Sequence, residues 1–383
     1  MIFKRSDIPG EDIRRAMSMA DKRRQLIEES PATPLRYDFG VNELARSLHP
    51  GIVKARIINK EKCGTDSCRI TLEADSKKFP YFRAGQFITL SCKVNDSFLS
   101  RPYSIASSPK DALKGIIEVI VQKKGIFTEY LINEAQVGTE LSVGEPSGDF
   151  YHDDLRDRDH ILAIAGGSGI TPFISMLKAI KEGSEDFRLT LIYGVRTKDQ
   201  ILFDPEEYKD DRIRIIPVLS DEEAEGYRHG FITADILKGF IDGNTSVFMC
   251  GPDAMYSFVG EQLEELGFDK TRIRQERNSV GDREVEKPET YRLTVHIRDE
   301  VYELEARNSE TIIMAIERAG IPAVVRCRNG VCGFCHSRVI SGDYFLAKEN
   351  DFRRSADIKF NYIHPCSTYP ESDMEIEVPI FNV

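Results

Sequence analysis

Three thiols fall within nine residues, at Cys327, Cys332 and Cys335, and a fourth, Cys366, follows after 30 more. The pattern C-x4-C-x2-C…C is the spacing that lets four thiolates converge on the two irons of a [2Fe–2S] cluster. Gly330 and Gly333 sit inside the loop, where a backbone that must turn sharply around a cluster needs residues without a Cβ. Backbone N–H groups of such a loop can donate to the sulfurs and help set the potential. Zinc and disulfides are the rival readings. Structural zinc usually takes paired C-x2-C knuckles, of which only one is present. Disulfides are rare in the cytoplasm, the compartment expected for this chain.

Two other stretches carry chemistry. "RPYSIASS", from Arg101, offers a cation for a phosphate, an aromatic face for a ring and hydroxyls for hydrogen bonds. "AGGSGITP" (165–172) follows an apolar run and opens a helical pattern, so its glycines would let a pyrophosphate approach a helix N-terminus. It is not the G-x-G-x-x-G fingerprint, because Pro172 stands at the third glycine's place.

These residues need scaffolds, and the chain divides accordingly. Residues 51–153 contain short runs rich in β-branched residues, "GIVKARII", "CRITLEA", "QFITLSCKV" and "GIIEVIVQ", which predict an antiparallel barrel or sandwich. Residues 154–277 alternate apolar strands ("ILAIAGG", "LTLIYGV", "RIIPVLS", "VFMCGP") with helices, which predicts an α/β domain on a parallel sheet. Residues 278–290 are charged and contain Gly and Pro, and read as a linker. Residues 291–383 open with a hairpin and a helix before the cysteine loop, an α+β domain. Residues 1–50 form an extension whose helical part places Ile13, Met17, Ala20 and Ile27 on one stripe, interrupted by Arg24. The run Lys22-Arg23-Arg24 reads as a solvated helix face.

The formal net charge is −11, which argues against nucleic acid as a partner and suits docking on a basic protein surface. The N-terminus shows no signal-peptide pattern, and no run approaches the roughly 18 apolar residues of a membrane span. A cytoplasmic location is expected. Cys63 and Cys68 share a C-x4-C spacing without further ligands nearby and read as structural, Cys92 as core, and His336 as a loop-surface residue.

Residues 291–383, with "CRNGVCGFCHSRVISGDY", resemble a plant-type ferredoxin domain, which implies a β-grasp fold, Cys327 and Cys332 on one iron, and Cys335 and Cys366 on the other. "RPYSIASS", preceded by "FRAGQFITL" and followed by "GIFTEYL", resembles the flavin domain of the ferredoxin–NADP reductase superfamily. That resemblance implies Arg101 on the flavin nucleotide's phosphate, Tyr103 on the isoalloxazine, Ser104 near its N5, and Gly125 and Thr128 in a second phosphate turn that opens a helix. It favours FAD over FMN. "AGGSGITP", "YGVRTKDQILF" and "CGPDAM" resemble the superfamily's nicotinamide domain, implying Gly167, Gly169, Thr171 and Pro172 at the phosphate and nicotinamide turn. Arg196 would face phosphate or ribose, and Cys250, Gly251 and Pro252 would form the C-G-P motif, whose thiol shapes the hydride-transfer pocket without acting as a nucleophile. The stretch Ser220-Asp221-Glu222-Glu223 would repel a 2′-phosphate and favours NADH over NADPH, with Lys198 as the one cation that could reverse this. Glu276 aligns with a glutamate near the flavin in some relatives, but Arg277 replaces the usual following aromatic, and a solvated glutamate before a linker is the competing reading.

Together the modules describe a reductase in which NADH gives a hydride to a flavin and the flavin passes single electrons to the cluster. The acceptor would be another redox protein, an oxygenase component or an acceptor such as a hybrid-cluster protein, docking on a loop edge formed by Arg328, Asn329 and Phe334. A redox-sensing regulatory protein and a zinc-stabilised reductase are the alternatives. The extension would pack across the domains or help dock a partner.

Overall fold

The structure, a computed structural model, describes residues 10–29, 44, 51–277, 280, 283–321 and 325–378. It forms two compact units, Met1–Leu48 and His49–Val383. In the first, a helix runs over Gly10–Glu29, with Met17 and Ala20 exposed. The side chains of Ile13 and Ile27 lie outside the described residues.

The second unit contains three modules. Period-two burial of Val53, Ala55 and Ile57 puts alternate residues of β1 (Ile52–Cys63) in one core. With β2 (Ser67–Ala74), β3 (Phe87–Val94), β4 (Ser97–Ser104), β5 (Ile116–Gln122) and β6 (Glu140–Gly144) it makes a six-stranded antiparallel sheet in the order β4-β3-β6-β1-β2-β5. A bridge between Ile105 and Val119 brings the end of β4 against the opposite edge strand and curls the sheet into a barrel.

The second module is a parallel sheet of β7 (His160–Gly166), β8 (Arg188–Val195), β9 (Ile213–Leu219), β10 (Arg228–His229), β11 (Thr245–Cys250) and β12 (Ile273–Glu276), in the order β10-β9-β8-β7-β11-β12. Every residue of β7 and β11 is buried, as strands covered by helices on both faces must be. The chain leaves β7 in one direction and returns on its other side at β11, so the switch point falls between them. In such sheets the ligand crevice opens beyond the carboxyl ends of the strands at that point. The seam between the first two modules is pinned by Arg274. Its Nε donates to Asp157 at 2.8 Å and its Nη1 to the Asp149 carbonyl at 2.9 Å.

The third module is a mixed sheet of β13 (Thr290–Ile297), β14 (Glu300–Arg307), β15 (Ser337–Ser341), β17 (Tyr362–Ile363) and β19 (Met374–Glu377), in the order β14-β13-β19-β15-β17. A two-stranded ladder joins β16 (Tyr344–Phe345) to β18 (Tyr369–Pro370). The helix Ile312–Arg318 buries Ile312, Ala315 and Ile316 in the core of this sheet. Arg283, within the stretch read as a linker, is tied to this module. It pairs with Glu371 at 2.7 Å and lies 4.0 Å over the Phe345 ring. The charged composition of the stretch reflects ion pairing as much as solvation.

Candidate functional site

The cysteine loop places all four sulfurs together. Cys332 neighbours Cys327, Cys327 neighbours Cys366, and Cys366 neighbours Cys335. The sulfurs thus form a continuous row in the order Cys332, Cys327, Cys366, Cys335. Four thiols brought together at this spacing are the donor set of a binuclear cluster, and the loop fits one. Backbone amides already point at sulfur, Cys332 N to Cys327 Sγ and Phe334 N to Cys332 Sγ, both at 3.4 Å. The sharp turn rests on Gly330 and Gly333, both in left-handed conformations, with φ of 81° and 66°. A Cβ on Gly330 would lie 2.8 Å from Ser367 Oγ and 3.1 Å from the Asn350 carbonyl. Beneath the loop, buried His364 holds the Gly330 carbonyl at 2.6 Å through Nδ1. Nothing in the sequence marked this histidine beyond its place two residues before Cys366.

The loop edge differs from expectation. Arg328 is buried, at 8% exposure, and its Nε donates to the Ser100 carbonyl at 2.8 Å. Asn329 donates to the Arg277 carbonyl, and Phe334 is half-buried under Arg326, 3.7 Å from ring centre to guanidinium. The residues exposed there are Val331 and Cys332. Charge and polarity suggested a wet arginine, whereas the flavin module supplies that arginine with partners. His336 is half-buried, held to the Gly333 carbonyl at 3.1 Å and stacked near Tyr362. Cys92, read as core, is half-buried beside the barrel core.

On the barrel, Arg101, Tyr103 and Ser104 line up along β4, with Arg101 and Tyr103 on one face. The Tyr103 hydroxyl is buried without a partner, an acceptor or donor waiting for a ligand group, and so fits a flavin. Arg101 donates through Nη1 to the Ser100 carbonyl at 2.7 Å and to Glu317 at 3.0 Å. The turn at Gly125 and Thr128 opens one α-helical turn (Ile126–Glu129) that widens into a π-helical turn. Thr128 Oγ1 accepts from the Lys124 and Gly125 amides at 2.8 and 3.0 Å, so the amides expected to face an anion are capped internally.

At the switch point of the parallel sheet a cleft of about 1060 Å³ opens. Gly167, Gly169, Arg196, Cys250, Gly251 and Pro252, named from the sequence, line it. Thr171 and Pro172 do not. They are buried at the start of the Thr171–Lys181 helix, where the Thr171 hydroxyl donates to the Ser168 carbonyl at 2.8 Å. Both types also suit a helix start, where Pro is favoured in the first turn. Gly169 is required by close approach, since a Cβ there would lie 2.1 Å from the Cys250 carbonyl oxygen. Burial pushes the Cys250 thiol well above its ordinary range, which keeps it protonated.

Glu276 corrects the reading of a solvated residue. It ends β12, is 8% exposed, lines the cleft, and accepts a hydrogen bond from Ser104 Oγ at 3.2 Å. Burial raises its pKa to about 8. Tyr256 braces it, its hydroxyl donating to the Glu276 carbonyl and accepting from the Gly251 amide. At the far end of the cleft, Ser220 lies on the lining, and the adjoining Glu222 accepts from the Lys198 amide at 2.8 Å.

Residues 54–152 match the oxidoreductase FAD-binding domain, 163–261 the oxidoreductase NAD-binding domain, and 295–371 the 2Fe-2S iron-sulfur cluster binding domain. The chain is 30% identical over 320 residues to the ferredoxin reductase component of a 3-ketosteroid-9-alpha-monooxygenase from Rhodococcus rhodochrous, covering 77% of this chain and 87% of that one. The chain belongs to the flavin and iron–sulfur reductase family. It binds FAD, a nicotinamide dinucleotide and a [2Fe–2S] cluster. The reductase is also 28% identical over 299 residues to the NADH oxidoreductase HCR of Escherichia coli strain K12, covering 77% of this chain and 88% of that one. Its fold is that of phthalate dioxygenase reductase, with a TM-score of 0.65 at 19% identity, over 86% of this chain and 98% of that structure. Among the described residues no helix is long and apolar enough to cross a membrane.

Proposed function

We propose that this reductase carries electrons from NADH through FAD and the [2Fe–2S] cluster to a separate redox protein, an oxygenase component being the acceptor class that its relatives favour. One observation carries this reading. Two consecutive residues join the three modules: Glu276, on the nicotinamide cleft, bonds to Ser104 of the flavin strand, and the Arg277 carbonyl accepts from Asn329 of the cluster loop. Donor cleft, flavin strand and cluster loop therefore meet at one point. When bound, FAD supplies the exchange between a two-electron hydride and single electrons, and the cluster carries one electron at a time.

The chain's own residues do the positioning. Gly167 and Gly169 admit the dinucleotide backbone. Cys250, kept neutral, and Glu276, protonated below about pH 8, present no negative charge to the incoming hydride. Ser104 orients Glu276. Asp221, Glu222 and Glu223 disfavour a 2′-phosphate, which supports NADH over NADPH. Val331 and exposed Cys332 are the surface through which the cluster would face its acceptor, and the overall charge of −11 suits a basic partner. Cys63, Cys68, Cys92 and Cys250, the four outside the cluster loop, form no disulfide, which supports a reducing, cytoplasmic setting.

Anaerobic titration of the purified protein with NADH tests this. Flavin bands and broad visible cluster absorption should both bleach. A cluster absorption that stays unchanged while the flavin bleaches would rule out the path.

A further inference from the structure

Glu317 belongs to the cluster module, on the Ile312–Arg318 helix, yet it is 1% exposed, and two of its three hydrogen-bond partners lie on the flavin strand. Its carboxylate accepts from the Ser100 amide at 3.2 Å, from Arg101 Nη1 at 3.0 Å, and from Arg328 Nη2. Arg328 and Arg101 both donate to the Ser100 carbonyl as well, at 2.8 and 2.7 Å. Backbone and side chains of Ser100 and Arg101 are thus held from both sides by one helix and one loop of the neighbouring module.

The fit is close all along this seam. The Arg318 carbonyl accepts from Ser97 Oγ at 3.4 Å, and a Cβ on Gly320 would lie 2.5 Å from the Asp96 carbonyl. Arg328 itself adopts a left-handed conformation, φ 57°, which a residue with a side chain occupies only when its surroundings require it. The requirement here is that its guanidinium reach Glu317 and Ser100.

Two guanidinium groups face one carboxylate, so the Arg101–Arg328–Glu317 triad carries one positive charge in excess. Arg101 uses only Nη1. Its Nε and Nη2 make no hydrogen bond among the described residues, and its side chain is 29% exposed. That edge of a guanidinium is the one that takes two phosphate oxygens in parallel. A flexible arginine loses rotamer freedom on binding an anion, and one already fixed by a buried carboxylate loses less.

We propose that Glu317 is a positioning residue for the flavin: it fixes Arg101 with its Nε–Nη2 edge open, so that the cluster module completes the phosphate site of the flavin module. Because the same contacts dock the two modules, flavin binding and docking are linked, and each strengthens the other by the same factor. This rests on Arg101 as the flavin-phosphate ligand.

The test is FAD affinity of the full chain stripped of flavin, read by fluorescence quenching, in wild type, Glu317→Gln, Arg101→Gln and the double variant. Each single change should weaken FAD about tenfold, and the double variant should bind no more than about twofold worse than Arg101→Gln alone. Unchanged affinity in Arg101→Gln overturns the phosphate assignment and the proposal with it. Weakening in Arg101→Gln with no change in Glu317→Gln overturns the role of Glu317 alone, as do effects that multiply in the double variant. Unsubstituted protein gives a second measurement. FAD should slow amide hydrogen exchange severalfold in residues 312–318, which no flavin atom of the barrel strand need touch, and an exchange rate independent of FAD overturns the linkage.

Discussion

Ser104 Oγ lies 3.2 Å from Glu276, a hydrogen bond between the end of the flavin strand and the last residue of the nicotinamide sheet, 172 positions apart in sequence. It spans the junction at which hydride must pass. It also places a largely buried carboxyl group on the wall of the cleft.

The pH dependence of stability follows from that burial. Glu276 has its pKa raised to about 8 in the fold, against about 4.3 for an exposed glutamate. Between those values the folded state holds a proton that the unfolded chain has lost, so stability falls as pH rises through this window. Glu276→Gln removes the titration while keeping shape. In flavin-free protein its melting temperature should equal wild type near pH 4.5 and exceed it progressively up to about pH 8, then by a constant margin. A difference independent of pH would mean that Glu276 is ionised in the fold.

The two glycines of the dinucleotide turn should respond differently to the same methyl group. Alanine at Gly169 meets the Cys250 carbonyl at 2.1 Å, and backbone must move to make room. Such overpacking costs about 3 kcal/mol or more. Alanine at Gly167 meets nothing within 4 Å and bears only the strain of φ 54°, about 1–2 kcal/mol. Denaturant melts should rank Gly169→Ala well below Gly167→Ala. NADH affinity should fall far more in the former, because the displaced backbone lines the cleft.

What the sequence made legible was whatever is written locally. The strand runs before "AGGSGITP" and "CGPDAM" alternate with helices, and that alone places Gly167 and Cys250 at one switch point. The spacing of Cys327, Cys332, Cys335 and Cys366 likewise carries its own chemistry. Arg328 and Glu317 were not legible, and Glu276 was left between a flavin-side and a solvated reading, because a charged residue declares exposure unless its partner is known. Their partners are Ser104, Ser100 and Arg101, supplied by another module. Thr171 and Pro172 carry two messages at once, since a helix start and an anion turn use the same residue types.

Nicotinamide selection should yield to charge. The Glu222 carboxylate is fixed by the Lys198 amide, and Asp221 follows Ser220 at the cleft's edge. Replacing Asp221 and Glu222 together with alanine removes two negative charges from the approach of a 2′-phosphate and leaves Lys198 and Arg196. A like charge at partly solvated distance is worth about 1 kcal/mol or more. The ratio of kcat/KM for NADPH to that for NADH should rise at least tenfold. A ratio that stays fixed would place the ribose elsewhere.

The last prediction separates the cluster from the hydride path. Cys366 is 3% exposed and sits between Cys327 and Cys335 in the row of sulfurs, so it joins the two pairs. Cys366→Ser keeps the volume and removes a soft ligand that iron prefers to a hydroxyl. The broad visible absorption of the cluster should be lost or become labile, while the nicotinamide cleft, on a different sheet, stays intact. NADH-driven reduction of ferricyanide, which can draw electrons directly from the flavin, should therefore stay within about twofold of wild type. Transfer to a protein acceptor that requires the cluster should fall at least a hundredfold. Equal loss of both activities would show that the cysteine loop supports the whole fold, and retention of both would remove the cluster from the path.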